Sequence, residues 1–238
     1  MRLTRCFVAT PLAPGAVVTL PPDTAVHVTR VLRLASGAAL TLFDGRGGEY
    51  DAQLLEVGRR GVQARVGEHR AVERETPAQL TLLQCLARAE RMDWIVQKAT
   101  ELGVASIVPV TSRHSVVQLD AAARARRLAH WHAVAISACE QCGRNRPPQL
   151  QALQELEVAC NAADPRSLRV LLDPDAAVTL PAALTAAAPG TAAAALSVTL
   201  LVGPEGGFAA AELSAALQCG FCPCRLGPRI LRAETAPI

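Results

Sequence analysis

Two stretches near the C-terminal end of the chain bring together residues that can cradle a ligand and residues that can handle a proton. They are LLVGPEGGF, Leu200 to Phe208, and RLGPRILRAET, Arg225 to Thr235. Each follows an apolar run that reads as a β-strand, SVTLLV before the first and FCPCRL before the second. Glycine lets a backbone approach a ligand closely and take φ > 0, and proline fixes the turn, so loops of this kind present N–H and C=O groups to a flat polar molecule. The carboxylates of Glu205 and Glu234 are candidate proton acceptors, and Arg229 and Arg232 are candidates to steady an anion. In an open α/β sheet the crevice outside the carboxyl ends of the strands is where ligands bind, so two such loops imply one site. The common nucleotide motifs are excluded. At the P-loop spacing Gly203 is followed by Phe208 with no Lys or Ser/Thr behind it, and the G-x-G-x-x-G fingerprint is absent. Taken singly, either loop also reads as plain turn punctuation.

The elements that must position these loops follow from periodicity. From Gln79 the rhythm is strand then helix: LTLLQCL, a helix over Glu90 to Leu102, ASIVPV, and a long helix from Asp120 to Cys142. Strands alternating with helices of this length call for parallel βαβ units. Met92, Ile95, Val96, Ala99 and Leu102 make the apolar face of the first helix, with Gly103 where a C-terminal cap belongs. Leu128, Trp131, Ala135, Ala138 and Cys142 do the same in the second, with Trp131 in the core or a dimer interface. LRVLLDP reads as a buried strand whose end, Leu172 to Asp173, reaches the edge that carries the two loops. Upstream, FVATPL, AVVTL, ALTLFD, EYDAQLLEV and GVQARV are short strands separated by turn signals, as in a small barrel or sandwich, with one helical interruption at Asp23 to Leu34. The polar segment HRAVERETP closes with Pro77, which divides the chain into a domain over residues 1–73 and another over 77–238.

The chain has 238 residues, half of them hydrophobic, ample for two cores. Its net charge of +3 is uneven, with +2 over residues 1–75, +4 over 76–150 and −3 over 151–238, so the middle of the chain is the side for an anionic partner. No apolar stretch reaches the ~18 residues of a membrane span, and the N-terminus lacks a cleavage pattern, so a cytoplasmic protein is expected. Eight cysteines fit that compartment as free thiols. Cys139-x2-Cys142 and Cys219-x2-Cys222 have zinc-pair spacing, but the latter flanks a probable buried strand where cysteine serves as a small hydrophobe; no metal is expected.

With these residues in view the sequence resembles the ribosomal RNA small subunit methyltransferase E family of the SPOUT class. The resemblance rests on GPEGGF with Glu212 behind it, LGPRILRAET, RMDWIVQKATELG (Arg91 to Gly103), ACEQCGRNRPP (Ala138 to Pro148), RVLR (Arg30 to Arg33) and LFDG (Leu42 to Gly45), in the family's order. It implies a trefoil-knotted, parallel-sheet methyltransferase domain preceded by a PUA-like β-barrel that binds RNA. It implies S-adenosylmethionine (SAM) as methyl donor, and N3 of a uridine in 16S ribosomal RNA, in the small subunit or a late precursor, as acceptor. It also implies a homodimer. On this reading Leu172, Leu201, Val202, Gly203, Gly207, Leu226, Gly227, Ile230 and Leu231 hold the cofactor, and Glu205, Glu234, Arg229 and Arg232 serve the proton transfer. Arg2, Arg5, Arg30, Arg33, Lys98, Arg113, Arg144 and Asn145 contact RNA. Lys98 also reads as an ordinary i, i+3 partner of Glu101, and each glutamate as a loop anchor.

Two departures stand out. Position 233 is Ala where the family pattern has Thr, and the pattern continues past residue 238 into an apolar helix that completes the knot. Two other functions therefore stay open: an RNA-binding relative without cofactor, and a methyltransferase acting on another RNA such as transfer RNA.

Overall fold

The computed structural model describes residues 4–58, 61–115, 120–187 and 196–238; Arg2, expected as an RNA contact, lies outside them. The chain forms two compact units. One comprises Met1–Glu75 with Ile136–Pro147, the other Thr76–Ala135 with Pro148–Ile238.

The first unit is a curled five-stranded sheet in the order β1-β3-β4-β5-β2, from β1 (Arg5–Phe7), β2 (Val17–Thr19), β3 (Ala39–Phe43), β4 (Glu49–Gly58) and β5 (Gly61–Arg70). The β1/β3 pair is parallel and the rest are antiparallel. Alternation along the strands sends Leu40, Leu42, Leu54, Val62, Ala64 and Val66 into one core, closed by Val28 from the helical segment α1 (Pro22–Val26) and the turn that continues it. The first strand differs from the expected FVATPL. Pairing stops at Phe7, because beyond it the chain turns away, and the Leu12 N–H donates to the Asp44 carboxylate at 3.1 Å.

The segment 136–147, which carries the CEQCGRN motif, joins this unit through buried polar contacts. Arg5 Nη1 is paired with Glu49 Oε2, and Arg5 Nη2 donates to Asn145 Oδ1 at 2.6 Å and to the Arg144 carbonyl at 3.1 Å. Arg144 Nε donates to both oxygens of Glu75 at 3.1 Å, and the Phe7 N–H donates to Glu140 Oε1 at 3.0 Å. Burial alone would push the Glu49 carboxyl up, but the Arg5 and Arg74 guanidiniums beside it hold it below the usual carboxylate range. A carboxyl lowered in the folded state stabilises the fold above its unfolded pKa, and that stabilisation is lost as pH falls through the lowered value. Glu49→Gln is therefore expected to cost about 3–5 kcal/mol at neutral pH, since it leaves Arg5 buried beside an uncharged group. In urea titrations the gap to wild type should begin to narrow as pH falls past the unfolded glutamate value of about 4.3 and close as it passes through the lowered one. A variant as stable as wild type at pH 7 would show that the pair contributes nothing.

The second unit is a parallel sheet in the order β12-β10-β11-β6-β7-β8, with a short β9 also on β7. Its strands are β6 (Gln79–Cys85), β7 (Ser106–Thr111), β8 (Gln149–Leu150), β9 (Gln154–Glu155), β10 (Leu168–Leu172), β11 (Ser197–Val202) and β12 (Cys222–Cys224). The crossovers are made by α2 (Ala89–Glu101), α3 (Ala121–Cys142), α4 (Leu156–Asn161), α5 (Leu180–Ala187) and α6 (Ala210–Gln218). Both faces of the sheet are covered, which is why β6 and β11 read as continuous apolar runs. Leu82, Leu200, Val170 and Val202 pack with Met92, Ile95, Val96 and Trp131 on one face. Leu83, Leu171, Leu201 and Val108 pack with Leu156, Ala216 and Phe221 on the other. Full burial of each large aliphatic side chain is worth about 1.5–3 kcal/mol. Leu102, expected on the apolar face of α2, is instead 61% exposed, because the helix ends at Glu101 and its capping residue turns off that face. Gly103 follows at φ +96°, a left-handed cap that an L side chain resists. The strand expected over FCPCRL is confined to Cys222–Cys224, and Arg225 makes only a single parallel bridge to Thr179. Among the described residues no helix is long and apolar enough to cross a membrane.

Candidate active site

The strand order sets β12, β10 and β11 side by side and parallel, so their carboxyl ends deliver three loops to one edge: residues 173–175, 203–208 and 225–232. Between them lies a cleft of about 690 Å³, within the roughly 300–1,000 Å³ of small-molecule sites. Leu172, Val202, Phe208, Leu226, Ile230 and Leu231 give it apolar walls, and Asp173, Asp175, Glu205, Arg91, Arg229 and Arg232 add charge. Of the residues expected to hold a cofactor, Leu172, Val202, Gly203, Gly207, Leu226, Ile230 and Leu231 line it. Leu201 does not, because β11 alternates and turns it into the opposite core with no exposure. Gly227 flanks the cleft beside Leu226 at φ +87°.

The glycines divide by role. A Cβ on Gly207 (φ +71°) or Gly227 meets no atom within 4 Å, so these two serve the left-handed turn and leave open space in front of the backbone. A Cβ on Gly203 would stand 3.0 Å from the Phe208 ring, so that glycine lets the ring fold back over the loop. The loop after β7 reaches the same place. Glu212, buried in the first turn of α6, accepts the Arg113 N–H at 2.7 Å and the Ala209 N–H at 2.8 Å, and His114 Nδ1 lies 3.1 Å from the Gly207 carbonyl.

Arg91, in the first turn of α2, is a site residue that sequence reasoning did not single out. Its Nη1 donates to Glu205 Oε1 at 2.6 Å and lies 3.6 Å from Glu234 Oε2, so one guanidinium serves both glycine loops. Glu205 lines the cleft. Glu234 does not: its Oε2 is buried with no hydrogen-bond partner among the described residues, and its Oε1 lies 3.9 Å from the largely exposed Arg232. The two candidate acceptors are therefore not equivalent; Glu205 faces the cavity and Glu234 backs Arg91. An apolar slot edged by three carboxylates suits a ligand with an aromatic face and positive charge, and SAM, with its adenine, sulfonium and ammonium, has that chemistry.

The expected RNA contacts are scattered. Arg30, Arg33 and Arg113 are exposed. Lys98 pairs with Glu101 at 2.8 Å and sits 5.0 Å from the Trp94 ring centroid. Arg5, Arg144 and Asn145 are instead buried in the network of the first unit, which occupies their polar groups with Glu49, Glu75 and backbone. Those carboxylates lie far away in sequence, and without them a basic residue reads as exposed.

Comparison with known proteins agrees with this geometry. The family model of the RNA methyltransferase domain matches residues 74–238, and that of the RNA methyltransferase PUA domain matches residues 20–67. The chain is 33% identical over 232 residues to the ribosomal RNA small subunit methyltransferase E of Mycobacterium bovis, covering 93% of this chain and 83% of that one. It is 29% identical over 222 residues to that of Bacillus subtilis, covering 89% and 83%. A putative methyltransferase from Legionella pneumophila, solved in complex with bound SAM, superposes with a TM-score of 0.92 at 35% identity, over 100% of this chain and 95% of that one. The ribosomal RNA small subunit methyltransferase E of Neisseria gonorrhoeae, bound to S-adenosyl methionine, superposes with a TM-score of 0.87 at 32% identity, over 99% and 94%. With a SPOUT-type fold, a PUA-like first unit and these relatives along its whole length, the chain belongs to the ribosomal RNA small subunit methyltransferase E family.

Proposed function

We propose that this chain transfers the methyl group of SAM to N3 of a uridine in 16S ribosomal RNA, within the small subunit or a late precursor of it. The observation that carries the reading is the three-loop cleft, apolar along its walls and carboxylate-edged, in a fold whose solved relatives hold SAM. When bound, the cofactor supplies an electrophilic methyl group on a sulfonium.

The chain supplies placement and proton handling. The turns at Gly207 and Gly227 let backbone approach the cofactor, and Leu172, Val202 and Leu226 form the slot for its flat end. Asp173 and Asp175 offset its positive charge. N3 of uracil is a poor nucleophile until its proton leaves. Glu205 takes that proton: Arg91 holds Oε1, which leaves Oε2 for the substrate. Arg229 and Arg232, exposed at the cleft mouth, steady the charge that develops on the uracil oxygens. A homodimer in the cytoplasm belongs to the same reading; Trp94 in α2 and Leu102 just past its end, 50% and 61% exposed, are open to a second copy. Incubation of the protein with methyl-labelled SAM and small ribosomal subunits tests the reading. RNA that stays unlabelled would discard it.

A further inference from the structure

The edge strand of the second unit's sheet, β12, is Cys222-Pro223-Cys224. Side chains two apart on a strand share a face, and both thiols pack with the core that holds Val170 and Leu172. Their sulfurs stand 4.0 Å apart. Cys222 is partly exposed, whereas Cys224 is fully buried and backs the wall of the cleft. Burial, and then the neighbouring Cys222, pushes the Cys224 thiol up to about 11, so Cys222 is the thiol that meets a reagent first. Among the described residues no group of three or more His, Cys, Asp or Glu could hold a metal ion, so the pair is not half of a zinc site. Cys219, at the C-x-x-C spacing from Cys222, packs against the opposite core.

The cleft depends on this strand through its backbone. Cys224 stands opposite Leu172 in the ladder, its carbonyl accepts the Asp173 N–H at 3.0 Å, and the loop 225–232 begins at the next residue. Two residues of extended strand span about 6.6 Å, whereas a disulfide draws its Cα atoms to about 5.5–6 Å and its Cβ atoms to about 3.8 Å. The two thiols can therefore join only if β12 shortens and buckles, and Pro223 between them has no N–H to hold in the ladder. We propose that Cys222 and Cys224 are a redox-active dithiol that closes to a disulfide at the expense of the cofactor cleft. The oxidant is a small-molecule disulfide of the glutathione class. The Cys222 thiolate attacks one of its sulfurs, the reagent's S–S bond breaks, and one reagent thiolate leaves and is protonated. Cys224 then gives up its proton and attacks the Cys222 sulfur, and the second reagent thiol departs; the protein has lost two hydrogens and the reagent has gained them. With β12 buckled, the Cys224 carbonyl leaves Asp173 and the loop 225–232 shifts from the cleft. The proposal rests on SAM as the ligand of that cleft. The coupling is reciprocal: oxidation weakens SAM binding by the same factor by which bound SAM favours the dithiol.

The test uses the full-length protein equilibrated in mixtures of reduced and oxidised glutathione, with alkylation and mass measurement to follow free thiols and calorimetry to read SAM affinity. Wild type is expected to lose one pair of thiols and two hydrogens on oxidation and to bind SAM at least tenfold more weakly, with recovery in dithiothreitol. Saturating SAM should raise the reduction potential of the pair by about 30 mV for each tenfold of that loss. Reduced Cys222→Ser should bind SAM within twofold of wild type and keep that affinity in the oxidising mixture, and Cys219→Ser should respond as wild type does. A wild type that keeps all its thiols, a disulfide that leaves SAM affinity unchanged, or a response lost in Cys219→Ser overturns the proposal. If reduced wild type does not bind SAM, the cofactor reading falls instead, and the mass measurement still decides whether the disulfide forms.

Discussion

Replacing Glu205 by glutamine is expected to lower kcat for methyl transfer by about 100- to 10,000-fold, the span of general base catalysis, while leaving SAM affinity within about threefold of wild type. The substitution keeps size and shape, and the amide oxygen still accepts the hydrogen bond that Arg91 gives to Glu205 Oε1 at 2.6 Å. The loop should therefore hold its place. What is lost is an oxygen basic enough to take the N3 proton. Single-turnover kinetics with saturating SAM and small subunits separates the two effects. A variant turning over within threefold of wild type would make Glu205 a loop anchor, and attention would pass to Glu234.

The second large effect is expected at Arg91. Arg91→Ala removes the cation that reaches carboxylates of both loops, Glu205 at 2.6 Å and Glu234 at 3.6 Å. Two like charges then remain, Glu205 at the cleft and Glu234 behind it, the latter with an oxygen already buried and lacking a hydrogen-bond partner among the described residues. Leaving such a buried group uncompensated costs about 1–3 kcal/mol, and each 1.4 kcal/mol is tenfold in affinity. SAM binding by calorimetry is expected to weaken about ten- to a hundredfold, with Arg91→Lys between the alanine variant and wild type. In the double variant with Glu205→Gln the losses should be less than additive, since the two side chains form one contact. Wild-type affinity in Arg91→Ala would show that the loops hold their shape without it.

How far the site was legible in the sequence depends on the range of the interaction. The glycine loops are legible because each follows its own strand within a few residues, and the left-handed φ values at Gly207 and Gly227 are the local demand that glycine composition advertises. The helical face of Met92, Ile95, Val96 and Ala99 is legible for the same reason. Leu102 fails because periodicity does not say where a helix stops. Arg91 is 114 residues from Glu205 in the chain and lies in neither loop, so only the fold reveals that it serves both. Arg5, Arg144 and Asn145 fail in the opposite sense. Their charge and polarity invite an RNA role, but Glu49 and Glu75, brought in by the fold, claim them. Arg33 was legible as a cation, whereas its left-handed backbone, at φ +53°, was not, since arginine carries no signal for it.

The most direct measurement is nucleoside analysis of small-subunit RNA after incubation with the purified protein and methyl-labelled SAM. The account predicts label in 16S RNA as 3-methyluridine at a single site, with none in transfer RNA under the same conditions. Label on another atom or another RNA, or no label from a folded protein, would contradict it.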